Sequence, residues 1–326
     1  MDSAIYPAPD INGLPAELID LLTMAHGDLT RFDERLKRSP ELFKGWISRS
    51  LISEAAASVI AGGGYIDATS LTLAVYSANE RQSSIADAHA VHTYGAWAKA
   101  YEVMPGTLLR SNRPGLLPVD EAQPNPATPI EYAPTEPIPE SIDRDKIAQW
   151  QSLLRETQNM PALMAAAVAW DAWLTLAPEP YGDWKAPLLA ALVLKSRNVT
   201  TNYLVPIDYG RQHSNYRPNP LRPEPFGKRL AGFLSWIRAA AHRAHADLDK
   251  LHLVRSGLMT RIASRKSNSR LPRLVQFFID HAAVDMRSAA RELALTRQGF
   301  DKILPRLGSY PVLLTERSRY RLWRIG

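Results

Sequence analysis

Apolar residues recur at helical spacing along most of this chain. Ala16–Leu36, Lys44–Ala61, Ala68–Ser77, Gln82–Met104, Arg144–Thr157, Ala162–Leu176, Ala186–Lys195 and Lys228–Leu253 each read as a helix. Two stretches interrupt the pattern. Between Pro105 and Pro139 lie nine prolines, at 105, 114, 118, 124, 126, 129, 134, 137 and 139. Proline fixes φ and has no amide N–H, so this stretch predicts an extended, partly polyproline-II segment over a helical body, without regular helix. A second proline-rich loop, Pro206 to Pro225, separates later helices. The most apolar window, Leu163 to Leu176, is broken by Asp171 and is too short to span a bilayer; it predicts a core helix and no membrane partner. No internal repeat is visible.

The pattern changes near the C-terminus. Leu271 to His281 predicts a first helix, with Leu274, Val275, Phe277, Phe278 and Ile279 as its apolar positions. Asp285 is placed to cap a second helix, Met286 to Leu293. After the short turn Ala294-Leu295, Thr296 is a good N-cap for a third helix, Arg297 to Leu307, with Phe300, Ile303, Leu304 and Leu307 facing inward. Pro311 to Thr315 and Arg319 to Ile325, around the charged turn Glu316-Arg317-Ser318, read as a β-hairpin. Helix, helix, turn, helix, hairpin is the order of a winged helix-turn-helix. The fold class expected is mainly α: a helical bundle followed by a C-terminal winged helix-turn-helix with a small β-hairpin. The expected division is an N-terminal helical part (1–104), a proline-rich linker (105–143), a helical core (144–260) and the winged helix-turn-helix (261–326).

Charge sharpens that reading. Residues 251–326 hold fifteen Arg or Lys against five acids, a net +10, whereas the whole chain, with 39 bases and 33 acids, is +6. The first 250 residues are therefore at −4. So sharp a split argues for a polyanionic partner, double-stranded DNA. A major groove admits a helix, and Arg and Gln make bidentate contacts to guanine and adenine edges. Arg297 and Gln298 are the candidates for base readout, with Lys302 and Arg306 on the same solvent side of the third helix. Arg317, Arg319 and Arg321 on the wing are placed for phosphates. Two features depart from a usual motif: Ala294 stands where the turn often has glycine, and Gly299 lies inside the third helix.

Two segments of the helical body, Ala57 to Gly62 at a helix end and Ala177 to Leu188 after the helix Leu163–Leu176, resemble anchor segments of the Fic family, enzymes that transfer AMP or a related nucleotide fragment onto protein hydroxyls. The resemblance covers roughly residues 15–260 and rests on element order and a few anchor segments. Where the family has a helix ending Ser-Ser-x-Ile-Glu-Gly, this chain has Ala57-Ser58-Val59-Ile60-Ala61-Gly62. The family's catalytic loop, His-Pro-Phe-x-Asp-Gly-Asn-Gly-Arg-x-Gly-Arg, falls on Ala177 to Leu188. The family's general base falls on Ala177, its metal-holding acid on Tyr181 and its final phosphate clamp on Leu188. Glycines of its anion nest are replaced by Trp184 and Pro187, and the regulatory glutamate by Ala61; Gly182 and a basic Lys185 remain. The resemblance thus implies a Fic-like scaffold without nucleotide transfer, cofactor or metal. The chain as a whole also resembles a group of uncharacterised rhizobial plasmid-borne proteins with a C-terminal helix-turn-helix.

Other chemistry is thin. No P-loop or Gly-x-Ser-x-Gly occurs, and Gly62-Gly63-Gly64 reads as a helix C-cap and turn. His242, His245, Asp249 and His252 share one helical face, but a helix rises about 1.5 Å per residue, so all four cannot reach one ion. His89 and His92 have the same spacing as the first pair, and Trp170, Trp173 and Trp184 read as core. With no cysteine and no signal-peptide pattern at Met1 to Asn12, a bacterial cytoplasmic, nucleoid-associated protein is expected. The function expected is a sequence-specific DNA-binding regulator whose catalytically dead Fic-like body dimerises, senses a ligand or meets a protein partner. The alternatives are a nucleotidyl-transferring enzyme with an unusual site, or a toxin–antitoxin or plasmid-maintenance component.

Overall fold

A computed structural model of the chain describes residues 14–76, 85–112, 114–115, 142–217, 224–263, 270–315 and 321–325. Among the described residues the chain is mainly helical, with one small antiparallel sheet of three strands near the C-terminus. Helix α1 (Ala16–Lys37) buries Leu18, Ala25, Leu29, Phe32 and Leu36, one face at helical spacing, against the long helix α10 (Phe226–Ile262). Helix α2 (Pro40–Ala61) is covered on nearly every side, by α3 (Ala68–Tyr76), α4 (Ile85–Glu102), α9 (Ile207–His213) and α10. Helices α7 (Ala162–Leu176) and α8 (Lys185–Ser196) are apolar all round and form a buried hairpin, with α6 (Arg144–Glu156) on α7.

The proline-rich stretches contain more helix than their composition predicts. Pro105 opens a short helix, α5 (Pro105–Arg110), which packs on α8. Proline at the first helical position loses nothing, because that N–H has no intrahelical acceptor. Pro206 and Pro225 stand one position earlier, as the N-cap residues of α9 and α10. The rest of the proline-rich linker, 116–141, lies outside the described residues. Helix α10 continues past Leu253 to Ile262 and delivers Leu258 and Ile262 to the C-terminal elements.

Those elements are α11 (Leu271–Asp280), β1 (Val284–Asp285), α12 (Met286–Glu292), α13 (Arg297–Ile303), β2 (Val312–Leu313) and β3 (Leu322–Arg324). The sheet order is β1-β3-β2, with Val284 opposite Trp323 and Leu313 also opposite Trp323. Phe278, Phe300, Leu307 and Trp323 form the interior, and the Phe300 and Trp323 rings lie 5.4 Å apart. The third helix is shorter than its apolar pattern predicts. Pro305 has no N–H to continue the ladder, and Leu304–Leu307 tightens into a 3-10 turn.

The C-terminal elements are seated on the body. At Gly45 an added Cβ would lie 2.0 Å from the Ile279 carbonyl oxygen, so only glycine lets α2 meet the end of α11 this closely. One turn on, Arg49 donates to the carbonyls of Ile279 (2.7 Å), Phe278 (3.3 Å) and Ile325 (3.4 Å). These are end groups that no helix ladder satisfies. The Ser48 hydroxyl accepts from Ala282 N (2.7 Å), and Gln276 donates to the Glu41 carbonyl (2.7 Å).

Candidate nucleic-acid interface

Local capping builds the exposed face of the C-terminal unit. The Asp285 carboxylate accepts from the amides of Arg287 (2.7 Å) and Ser288 (3.0 Å) and starts α12. The Thr296 hydroxyl accepts from Gly299 N at 3.1 Å and starts α13. Between them Ala294 adopts a left-handed conformation (φ 49°), where glycine would be unstrained, and its carbonyl accepts from Arg270 (2.6 Å). Gly299 answers a local need: a Cβ there would lie 3.2 Å from the capping Thr296 oxygen.

With Phe300 and Leu307 turned inward, Arg297, Gln298, Lys302 and Arg306 are all exposed. Gln298 and Lys302 are four residues apart and share a face. Arg321, at the start of β3, is exposed as well, whereas Arg317 and Arg319 lie outside the described residues. Further cations share this unit. Arg287 and Arg291 on α12, and Arg270 and Arg273 at the start of α11, are exposed too. Among the described residues no ion pair engages Arg287, Arg291, Arg297, Lys302, Arg306 or Arg321. Unpaired cations on one small unit are free to neutralise an external polyanion. Arg324 is used differently: it donates to the Thr69 hydroxyl of α3 (3.2 Å).

The loop that carries the Fic resemblance is filled by its own side chains. Ala177 closes α7 in a left-handed conformation (φ 43°), and Tyr181, also left-handed (φ 57°), is 81% exposed. The Gly182 carbonyl accepts from Trp173 Nε1 (2.9 Å). Lys185 is buried, ion-paired with Glu179, and its Nζ lies 6.0 Å from the Trp173 ring and 5.6 Å from the Trp184 ring. Trp184, Pro187 and Leu188 are buried in the core. His92 stacks edge-on against Trp184 (5.0 Å); burial, and then the nearby Lys185 charge, pull its pKa below the usual histidine value. His89, 6.4 Å from the Trp184 ring, is lowered by burial. Ala61 ends α2, and Trp170 packs against Phe233 and Trp236.

The histidine stripe on α10 is occupied by a cation from the protein itself. Arg35 of α1 contacts His245 Nδ1 (3.0 Å) and pairs with Asp249, while His242 approaches Asp28 (3.6 Å). Among the described residues no group of three or more His, Asp or Glu is arranged to hold a metal, and no helix is long and apolar enough to cross a membrane.

Comparison with known proteins finds similarity in the centre of the chain. Residues 140–264, from just before α6 to just past α10, match the model of a family described as "Protein of unknown function (DUF1612)". The chain is also similar to an uncharacterised protein, y4cF, of Sinorhizobium fredii (strain NBRC 101917 / NGR234). The two are 28% identical over 197 residues, 59% of this chain and 51% of that protein, so the match spans about half of the relative's length.

Proposed function

We propose that this chain is a sequence-specific DNA-binding regulator that reads duplex DNA with α13 and grips phosphates with the surrounding cations. The observation that carries the reading is the C-terminal unit itself. Its order, α11-β1-α12-α13-β2-β3 with sheet order β1-β3-β2, is that of a winged helix, and the helix in the reading position presents Arg297, Gln298, Lys302 and Arg306 unpaired. In this reading the Fic-like body transfers no nucleotide, and serves dimerisation or sensing. The filled loop supports that: Ala177 offers no general base, Pro187 has no backbone N–H to donate, and Trp184 and Leu188 are buried in the core.

Selection of bound sequences from a random duplex pool at fixed salt tests the proposal. A single recurring motif is expected, with affinity falling roughly 10³-fold between 50 and 200 mM salt if about six phosphates are neutralised. Recovery of unselected sequence, or no retained DNA, would contradict it. Incubation with labelled ATP and Mg²⁺ tests the body: no protein should become labelled.

A further inference from the structure

A cleft of about 390 Å³ opens where α2, α9 and α10 meet beside the start of α3. Trp46, Pro206 and Leu251 give it apolar walls, while Arg49, Arg243 and Lys250 bring three cations against one acid, Asp247. Asp247 is already engaged by the Tyr209 hydroxyl (3.1 Å), Arg243 (3.4 Å) and Lys250 (3.8 Å). Arg243 Nε is buried without a hydrogen-bond partner. Burial pulls the Arg49 guanidinium down to about 10. The Arg243 Nε is thus a buried donor without an acceptor on the wall of a cleft with three cations and one acid, a condition that an entering anion relieves.

The walls of this cleft also hold the C-terminal unit. Arg49 is the residue that satisfies the carbonyls of Phe278, Ile279 and Ile325. Ala68, at the rim, adjoins Thr69, which accepts from Arg324 of β3. An occupant touching Arg49 therefore touches the seat of the winged unit.

From this geometry we infer that the cleft is an effector site for a small organic anion: an acidic head on Arg243 and Arg49, and an apolar tail against Trp46 and Leu251. Its occupancy changes the affinity of the C-terminal unit for DNA. The site stands on the cleft alone, and the coupling rests on the proposed DNA-binding function. The volume suits a ligand of single-ring size.

The test uses the full chain and three fluorinated probes at matched ionic strength: 4-fluorobenzoate, 4-fluorophenyl phosphate and the neutral 4-fluorobenzyl alcohol. At least one anionic probe should show ¹⁹F line broadening about threefold or more above that of the alcohol. The stronger of the two anions identifies the head group as carboxylate or phosphate. Ser53→Trp, which fills the cleft from α2, and Arg243→Gln, which removes the buried Nε donor and its charge, should each return the anion to the alcohol's level. Both variants are first shown to melt cooperatively. Equal broadening of anions and alcohol, or anion broadening that survives in both variants, overturns the site. DNA affinity is then measured with and without the bound anion. A change in Kd of about fivefold, absent in Arg243→Gln, is expected for a coupled site. If the anion binds and Kd stays constant, the coupling is wrong and the site remains. If no DNA is bound at all, the DNA-binding function and the coupling fail together while the ¹⁹F result still decides the site.

Discussion

Gly45→Ala probes the seat of the C-terminal unit with one methyl group. The added Cβ would fall 2.0 Å from Ile279 O and 2.9 Å from its carbonyl carbon, and both are backbone atoms that cannot rotate away. Ordinary contact needs about 3.5 Å or more, so α2 and α11 must separate by more than 1 Å. That movement breaks the 2.7 Å bond from Arg49 to Ile279 O and weakens those to Phe278 O and Ile325 O. A charge-assisted bond contributes about 1.5–3 kcal/mol, and a partly buried guanidinium left short of acceptors costs more. The sum points to a loss of about 3–5 kcal/mol, in the range of the most damaging single substitutions. Gly27→Ala is the control. It sits inside α1 with only the flexible Arg31 side chain near the new methyl (3.5 Å), and alanine exceeds glycine in helix propensity by about 1 kcal/mol. Urea denaturation of both variants should move the midpoint in opposite directions. Hydrogen exchange should show the amides of α11 and β3 losing protection in Gly45→Ala while α7 and α8 keep theirs. Equal, small effects of the two alanines would refute the close seating of α11 on α2.

Two further outcomes follow from particular groups. Ala294→Gly should stabilise the C-terminal unit by about 0.5–1 kcal/mol in thermal or urea melts, because it relieves a left-handed alanine at some cost in unfolded-state entropy; a destabilised variant would mean the turn is not strained. Glu54 is fully buried and accepts from the amides of Asp208 (3.1 Å) and Tyr209 (2.9 Å); burial, and then the Asp208 charge, raise its pKa, and burial raises Asp208 to about 6. Raised carboxyl pKa values mean that the folded state binds protons more tightly than the unfolded state. Their stabilising effect is therefore present near pH 4 and is lost as pH rises through 6 and above. Glu54→Gln should flatten this fall between pH 4 and pH 7, and parallel stability curves for the two proteins would contradict the assignment.

How much of this was legible in the sequence depended on whether the cause was local. The helix Ala162–Leu176, the Thr296 and Asp285 caps and the inward Phe300 all follow from short-range rules, and the structure carries each of them. Pro105 and Pro206 misled because proline forbids helix only in the interior, not at the first position, where Pro105 stands, or at the N-cap, where Pro206 stands. Strand β1 has two residues, and only its pairing with Leu322 and Trp323 makes it a strand. Lys185 reads as a leftover basic residue of a loop, yet folding sets it inside the core against Glu179 and two tryptophans. Arg49 offered no signal: its acceptors, Phe278, Ile279 and Ile325, lie more than two hundred positions away.

The central claim is that α13 reads bases while the cations around it hold phosphates. It is tested most directly by measuring Kd as a function of salt, for the selected duplex and a scrambled one, with the unmodified chain, Arg297→Ala and Arg321→Ala. Arg297→Ala should narrow the gap between the two duplexes by about 1–3 kcal/mol. Arg321→Ala should weaken both alike and reduce the salt slope by about one unit. Loss of discrimination in Arg321→Ala, with a uniform loss of affinity in Arg297→Ala, would make the wing the reader; no measurable affinity of the unmodified chain for any duplex would contradict the claim outright.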